Sequence, residues 1–399
     1  YRNARVLDLG CANGFFLFRL AQTEGALAAG LGIDRVPDNV ELSRRIAALH
    51  GVDRLRFECA ALLDAEASGL VRSERWDVCH LLSVHHHVLR EEGPKRCRAL
   101  IRSLHQQCGV LVVEQGSLTS DEYRDWTGRD EPFSSWSFSR LVSMLEACGI
   151  PQEECSVVGL GMYRSGLRPD ATGVGRAIVA AGTGNRPGRI RQIHRKRHRN
   201  GIFMEVVETA AFGGHAGEVW KQSVAGGTLA TREARALGLL GTHRGFPRLL
   251  DPAAAAVDAS HGLLRMERIE LAEMPVSAGD LAGESLRAQF VDRLLSMARS
   301  GVVHNELSAE HVVLDTEGTL VVLDLETAWF RDEPRERWLA EVYAPNPVLG
   351  LGAYPRELHE TSEGSDADLR AADGLLLRWG QPRLTEEEKE KYRRLFRAG

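Results

Sequence analysis

Val6-Leu7-Asp8-Leu9-Gly10-Cys11-Ala12-Asn13-Gly14-Phe15-Phe16 decides how the first part of the chain is read. An apolar strand pattern ends in an acid, turns on glycines, and opens a helix pattern that runs from Phe15 to Ala21. Glycine in such a turn permits positive φ and lets a ligand approach the backbone closely. Two cofactor classes use this kind of loop. The dinucleotide pattern Gly-x-Gly-x-x-Gly needs glycine where Ala12 and Phe15 stand. Asp8, two places before the first glycine, suits a cationic sulfonium with a free amino group, not a pyrophosphate. The loop therefore reads as an S-adenosylmethionine site.

Further along, Gly32-Ile33-Asp34 closes a second strand about twenty residues past Gly10, where a carboxylate can accept ribose hydroxyls. Phe57-Glu58-Cys59-Ala60 stands where a third strand ends beside the adenine, and Trp76-Asp77-Val78-Cys79 begins a fourth. Apolar runs at 29–33, 55–57, 78–82, 110–113 and 177–181 alternate with helical patterns. That alternation predicts a parallel sheet with crossover helices. In this order, the four segments resemble the class I methyltransferase family over about 180 residues. The resemblance implies that Asp8, Gly10, Cys11, Ala12, Gly14, Asp34, Glu58 and Cys59 hold S-adenosylmethionine.

His85, His86 and His87 leave the fourth strand at the cofactor edge. His86 is the candidate general base for a hydroxyl acceptor, since imidazole titrates near neutrality. An anionic phosphate acceptor would need no base, and the three are equally readable as hydrogen-bonded loop histidines. A metal site is disfavoured, because neighbours on a strand point opposite ways.

The stretch from Gly182 to Asn200 is rich in arginine and breaks the alternation. It reads as a solvated linker or short basic helix, with an anion-binding patch as the sharper alternative. The expected domains are therefore 1–182, a basic linker 183–201, and 202–399. In the last, strand patterns at 202–207 and 218–224 flank the turn Gly213-Gly214-His215-Ala216-Gly217. A helix from Thr231 to Gly241, a strand Leu263–Ile269, a helix Leu286–Arg299 and two short strands at 312–314 and 320–323 follow.

Gly301-Val302-Val303-His304-Asn305-Glu306-Leu307-Ser308-Ala309-Glu310-His311, with Val322-Leu323-Asp324-Leu325-Glu326 after it, resembles the catalytic and metal loops of protein-kinase-like phosphotransferases. The resemblance puts Glu306 at the base, His311 and Asp324 at the metal, Lys221 on the phosphates and Glu233 as its partner. Leu264–Ile269 takes the place of the adenine-holding hinge. ATP and Mg2+, or Mn2+, are the implied cofactors. The chain departs from the pattern in three places. Glu306 adds a methylene to the usual Asp, His311 offers nitrogen where magnesium prefers oxygen, and Glu326 replaces a glycine. Two readings stay open: a working phosphotransferase, or a pseudokinase scaffold beside a methyltransferase that acts on another small-molecule or glycan acceptor.

The expected fold is thus α/β, a Rossmann-like methyltransferase sheet followed by an α+β bilobal protein-kinase-like domain. The two halves in this order resemble the bifunctional kinase–methyltransferases that cap the non-reducing end of bacterial O-antigen. That likeness implies phosphorylation of a terminal sugar and methylation of the phosphate. It also implies a glycan acceptor and peripheral association with the inner membrane or a polysaccharide polymerase.

The 399 residues suit two domains or three, and 43% hydrophobic residues allow a real core. A net charge of -5 gives no reason to expect a specific nucleic-acid partner. The seven cysteines form no Cys-x-x-Cys pair and fit reduced thiols in a cytoplasmic protein. The chain opens on Tyr1 and reads as a piece of a longer one.

Overall fold

The computed structural model describes residues 1–67, 69–72, 74–114, 125, 127, 137–163, 174–184, 186, 188–197, 203–211, 217–223, 228–241, 243–252, 262–272, 284–305, 307–334, 336–338 and 366–398. The chain divides into two compact units, Tyr1–Ile193 with Thr209–His215, and His194–Glu208 with Ala216–Gly399.

The first unit is built on seven strands. They are β1 (Ala4–Leu9), β2 (Leu27–Asp34), β3 (Leu55–Cys59), β4 (Trp76–Leu82), β5 (Cys108–Glu114), β6 (Cys155–Tyr163) and β7 (Val174–Ala181). Their order is β3-β2-β1-β4-β5-β7-β6. The five strands β1 to β5 pair in parallel, while β7 runs antiparallel to both β5 and β6. Helices α1 (Phe15–Gln22), α2 (Pro37–Leu49), α3 (Leu62–Ala67), α4 (His85–Gln107) and α5 (Phe138–Ala147) supply the crossovers and cover. Val6, Leu7 and Leu9 of β1 are all buried, as expected for a central parallel strand with both faces covered. The sheet is Rossmann-like, and the strand order reverses between β1 and β4. Ligands of open α/β sheets bind at such a switch point, outside the carboxyl ends of the strands. Helix α4 is broken at Gly93 (φ 78°), just before Pro94, which has no N–H to continue the ladder.

A second sheet of four strands, its first strand beginning in the last residues of 1–193, runs in the order β11-β10-β9-β8. Its strands are β8 (Ile190–Arg197), β9 (Phe203–Thr209), β10 (Glu218–Ser223) and β11 (Leu263–Glu267), with helix α6 (Thr228–Leu240) following β10. A helix-rich part follows: α7 (Glu284–Arg299), α8 (Asp366–Arg378) and α9 (Glu386–Ala398). Two short ladders accompany it, β12 (Val302–Val303) with β15 (Trp329–Phe330), and β13 (Val312–Leu314) with β14 (Leu320–Val322). This is an α+β arrangement, a sheet followed by a helix-rich part. Its core includes Leu264, Met266, Phe290 and Trp379, the last two edge to face at 5.2 Å.

One expectation is corrected. Residues 190–197 of the basic stretch are neither linker nor helix; they form β8 on the edge of the second sheet. Arginines suit an edge strand because exposed charge discourages pairing with another chain. The turn at 213–217 falls almost wholly outside the described residues. Among the described residues, no helix is long and apolar enough to cross a membrane.

Candidate functional site

The glycine loop of the first unit has the backbone that its sequence demands. Gly10 (φ 72°), Ala12 (φ 46°) and Gly14 (φ 74°) are all left-handed. A Cβ on Gly10 would sit 2.7 Å from Val84 Cγ2, and one on Gly14 would sit 2.7 Å from Phe57 Cε1. The N–H groups of Gly10 and Cys11 both donate to the Ile33 carbonyl, at 2.8 and 3.1 Å, which joins the loop to the end of β2. Asp34 completes the brace, accepting from the N–H of Ala12 at 2.8 Å and of Val36 at 2.9 Å.

A cavity of about 300 Å³ opens at these strand ends. Gly10 and Asp34 line it, with Ala60, Ser83, His87 and Glu91 among the facing residues. Ser83 takes φ 53° at the end of β4, and its hydroxyl donates to Glu114 at the end of β5. Strained backbone of this kind gathers at functional sites. Arg35, beside Asp34 on the cavity wall, pairs with Glu91.

Asp8 is buried at the end of β1. His80, its register partner on β4, has Nδ1 3.7 Å from Asp8 Oδ1. Asp8 Oδ2 has no hydrogen-bond partner among the described residues. Burial, reinforced by Asp8 and Asp34, pushes the Cys11 thiol well above its ordinary range. Asp8 stands behind the loop and not on the cavity wall, and a buried acceptor left over there suits a ligand with an ammonium group, so the residues fit S-adenosylmethionine.

Other assignments move. Glu58 and Cys59 are exposed and do not line the cavity. Glu58 instead pairs with Arg44 at 3.2 Å. The cavity wall here is Ala60, Ala61 and Leu62. The three histidines are not on a strand; they open α4, with His85 and His86 buried. His87 is the exposed one and lines the cavity, so the candidate base is His87 instead of His86.

The second site is a buried cluster of charges. Lys221 on β10 has its Nζ 2.6 Å from Glu233 Oε2 on α6, 2.5 Å from Asp324 Oδ1 and 2.5 Å from Glu326 Oε2. Burial opposes the charge on Lys221, yet Asp324, Glu233 and Glu326 together hold its ammonium well above the ordinary lysine range. Glu233 is pushed up to about 7, by burial first, with Lys221 opposing the shift. His311 Nε2 lies 3.3 Å from Asp324 Oδ2, and its ring stacks on that of His304 at 5.4 Å. Glu306 lies outside the described residues.

A cleft of about 340 Å³ leads to this cluster. Val206, Val219, Met266 and Leu323 give it apolar walls, and residues 267–269 form one edge. Lys221, Glu233, His311 and Asp324 stand together on this cleft. The carboxylates of Glu233, Asp324 and Glu326 have oxygens within 4.8 Å of one another, a donor set for a hard divalent cation.

Two participants carry no signal of their role in the sequence. Glu326 departs from the kinase pattern, and only the fold shows it to be a partner of Lys221. Asp368 on α8 accepts from the N–H of His304 at 2.8 Å, from that of Asn305 at 2.9 Å, and from the Tyr392 hydroxyl at 3.3 Å. It thereby fixes the loop in which Asn305 takes φ 70°.

The first unit thus carries a Rossmann-like sheet with this loop, and the second an α+β fold with a buried lysine held by a helix glutamate and a loop aspartate. Residues 2–137 match the family model described as a methyltransferase domain. The chain is similar to the O-antigen chain terminator bifunctional methyltransferase/kinase WbdD of Escherichia coli. The two are 29% identical over 151 residues, which cover 35% of this chain and 20% of the relative. It thus spans about a fifth of the length of the curated relatives it matches. Among solved structures, it is similar to WbdD with the kinase inhibitor LY294002, at 17% identity and a TM-score of 0.44, covering 100% of this chain and 83% of that one. It is also similar to the N-terminal domain of EvdMO1 with SAH bound, at 16% identity and a TM-score of 0.31, covering 45% and 75%.

Proposed function

We propose that the chain is a bifunctional enzyme that phosphorylates a terminal sugar of a surface polysaccharide and methylates that phosphate. The observation that carries this reading is Lys221 held between Glu233 and Asp324, in a chain whose first unit braces a glycine loop to a strand-end acid. Similarity to an Escherichia coli O-antigen chain terminator supports the substrate class. The acceptor would reach it at the cytoplasmic face of the inner membrane.

S-adenosylmethionine supplies an electrophilic methyl group when bound. Asp34 would hold the ribose, Gly10 and its neighbours would lie against the ligand, and the buried carboxylate of Asp8 would offset the charge of its amino group. A phosphate oxygen is already anionic, so the first unit needs only to orient it and exclude water. In the second unit Lys221 neutralises nucleotide phosphates. Asp324 and His311, with Glu326 and Glu233 close by, would hold the divalent cation that offsets charge on the transferred group.

A second reading, a methyltransferase with a pseudokinase scaffold, is favoured by Glu326, whose carboxylate engages Lys221 where the kinase pattern has glycine. The test is to incubate the chain with methyl-labelled S-adenosylmethionine and cell-surface glycan extract, with and without ATP and Mg2+. Methyl label that enters glycan only when ATP is present supports the bifunctional reading. Label that enters without ATP, from a chain that binds no nucleotide, supports the scaffold reading.

A further inference from the structure

Two consecutive residues of α6 are tied to one short segment, Asp324 to Glu333, one directly and one through Lys221. Glu233 pairs with Lys221, which Asp324 and Glu326 also grip. Its neighbour Arg232 pairs bidentately with Glu333, Nη1 to Oε2 at 2.9 Å and Nη2 to Oε1 at 2.6 Å. Arg232 Nη1 also donates to the Ala328 carbonyl at 3.1 Å. Both partners are buried, with side chains 4% and 6% exposed. One turn on, Arg235 reaches Asp332 at 2.6 Å and lies 4.0 Å over the Phe330 ring.

The segment from Asp324 to Glu333 is fixed in its own right. Trp329 Nε1 donates to the Glu333 carbonyl at 3.1 Å, and Trp338 Nε1 to that of Thr327 at 3.0 Å. The segment is therefore a rigid anchor for the helix. Successive helical residues point about 100° apart, so the two grips fix both the height and the rotation of α6. In kinase-like enzymes, a glutamate from such a helix must reach the lysine before phosphotransfer, and loop phosphorylation often brings it there by giving an arginine an anion. Here the chain itself supplies that anion.

We propose that Arg232 and Glu333 are positioning residues that hold α6 in place, so that the Lys221–Glu233 pair is formed without any activating modification. Its functional meaning rests on the phosphotransfer reading; its structural content does not. A buried bidentate pair loses far more when one partner is removed than an exposed pair does.

The experiment measures acylation of Lys221 in the nucleotide-free chain by an amine-reactive ester, read by mass spectrometry, with Lys391 as the internal control. The variants are Glu333→Gln, Glu333→Asp and the exchange Arg232→Glu with Glu333→Arg. Calorimetric titration with Mg·ATP runs alongside, and the thermal midpoint of each variant is recorded. Glu333→Gln is expected to speed Lys221 acylation about threefold with Lys391 unchanged, since Glu233 lets go while Asp324 and Glu326 keep their hold, and the exchange to restore slow labelling. Should Glu333→Gln fail to fold, Glu333→Asp is expected to give an intermediate rate. Wild-type labelling rates in the single variants, or an exchange variant as reactive as Glu333→Gln, would overturn the proposal. A wild type that binds no nucleotide removes the phosphotransfer reading, and the acylation rates still decide the clamp.

Discussion

Asp34 and Ala12 are joined by a hydrogen bond of 2.8 Å from the Ala12 N–H to the Asp34 carboxylate, which ties the end of β2 to the middle of the glycine loop. The same side chain lines the cavity. Its two duties cannot be separated by truncation. Asp34→Ala is expected to weaken S-adenosylmethionine binding at least about tenfold, since each charge-assisted hydrogen bond is worth roughly 1.5–3 kcal/mol. It should also lower the thermal midpoint, because the loop amides lose their acceptor. Asp34→Asn keeps one acceptor and should retain more of the stability than of the affinity. Calorimetry and thermal denaturation of both variants check this, and unchanged affinity in Asp34→Ala would take the residue out of the site.

Gly10→Val is expected to be worse than Asp34→Ala on both measures. The turn needs φ 72°, and the new Cβ would meet Val84 at 2.7 Å. A β-branched residue at that φ is strained before any ligand arrives. Binding of S-adenosylhomocysteine by fluorescence titration should be undetectable, and normal binding would show that the loop is misassigned.

His87 and His86 separate the two acceptor chemistries. If the acceptor is a phosphate, His87→Ala should keep methyl transfer within a few fold, because no proton has to leave. A hydroxyl acceptor would lose about a hundredfold or more on removal of its base. His86 is buried, so His86→Ala should cost stability instead. The readout is single-turnover methyl transfer beside thermal midpoints.

The strands, the glycine loop and Asp34 were legible because their signals are local: apolar runs, glycines and an acid at a strand end. Side-chain direction was less so. On β3, Phe57 turns inward, and the next residue, Glu58, must turn out, so the acid nearest the adenine position faces solvent. The histidines were read as leaving a strand. Because they begin a helix, its rotation decides which of them meets the cavity. Glu326 and Lys221 meet across the fold, and Asp368 reaches Asn305 from 63 positions away. No pattern in one sequence records such contacts. The basic stretch hides a strand for a different reason, since an edge strand dressed with arginine has the composition of a linker.

Asp368 makes the second unit sensitive to acid in an unusual direction. Burial pushes its carboxyl up to about 6, against the N–H donors of His304 and Asn305 and the hydroxyl of Tyr392. The unfolded chain releases this proton near pH 4, so the folded chain holds a proton that the unfolded chain has lost. The contribution is full below about pH 4 and is lost as pH rises through about 6. Asp368→Asn cannot titrate. The stability of wild type relative to this variant should therefore fall between pH 4 and pH 6 and level off above, as urea unfolding at each pH would show. A difference that is flat across the window would mean that Asp368 has an ordinary carboxylate range.

The metal preference of the second unit tests the bifunctional reading most directly. His311 Nε2 lies 3.3 Å from Asp324 Oδ2, so a cation held by Asp324 meets an imidazole where the kinase pattern offers an amide oxygen. Imidazole is the softer ligand, which favours Mn2+ over Mg2+. Glu306 carries its carboxylate one methylene further out than the usual Asp, and a misplacement near one ångström can cost on the order of a hundredfold. Wild type should therefore turn over slowly and prefer Mn2+. His311→Asn should raise the rate with Mg2+ relative to Mn2+, and Glu306→Asp should raise it with either metal. Lys221→Met and Asp324→Asn should abolish nucleotide binding, because one removes the charge on the phosphates and the other a metal carboxylate. The assay is phosphate transfer from labelled ATP to glycan extract with each metal, beside nucleotide calorimetry. If the chain carrying both Glu306→Asp and His311→Asn neither binds nucleotide nor turns over with either metal, the second unit is a scaffold and the bifunctional reading fails.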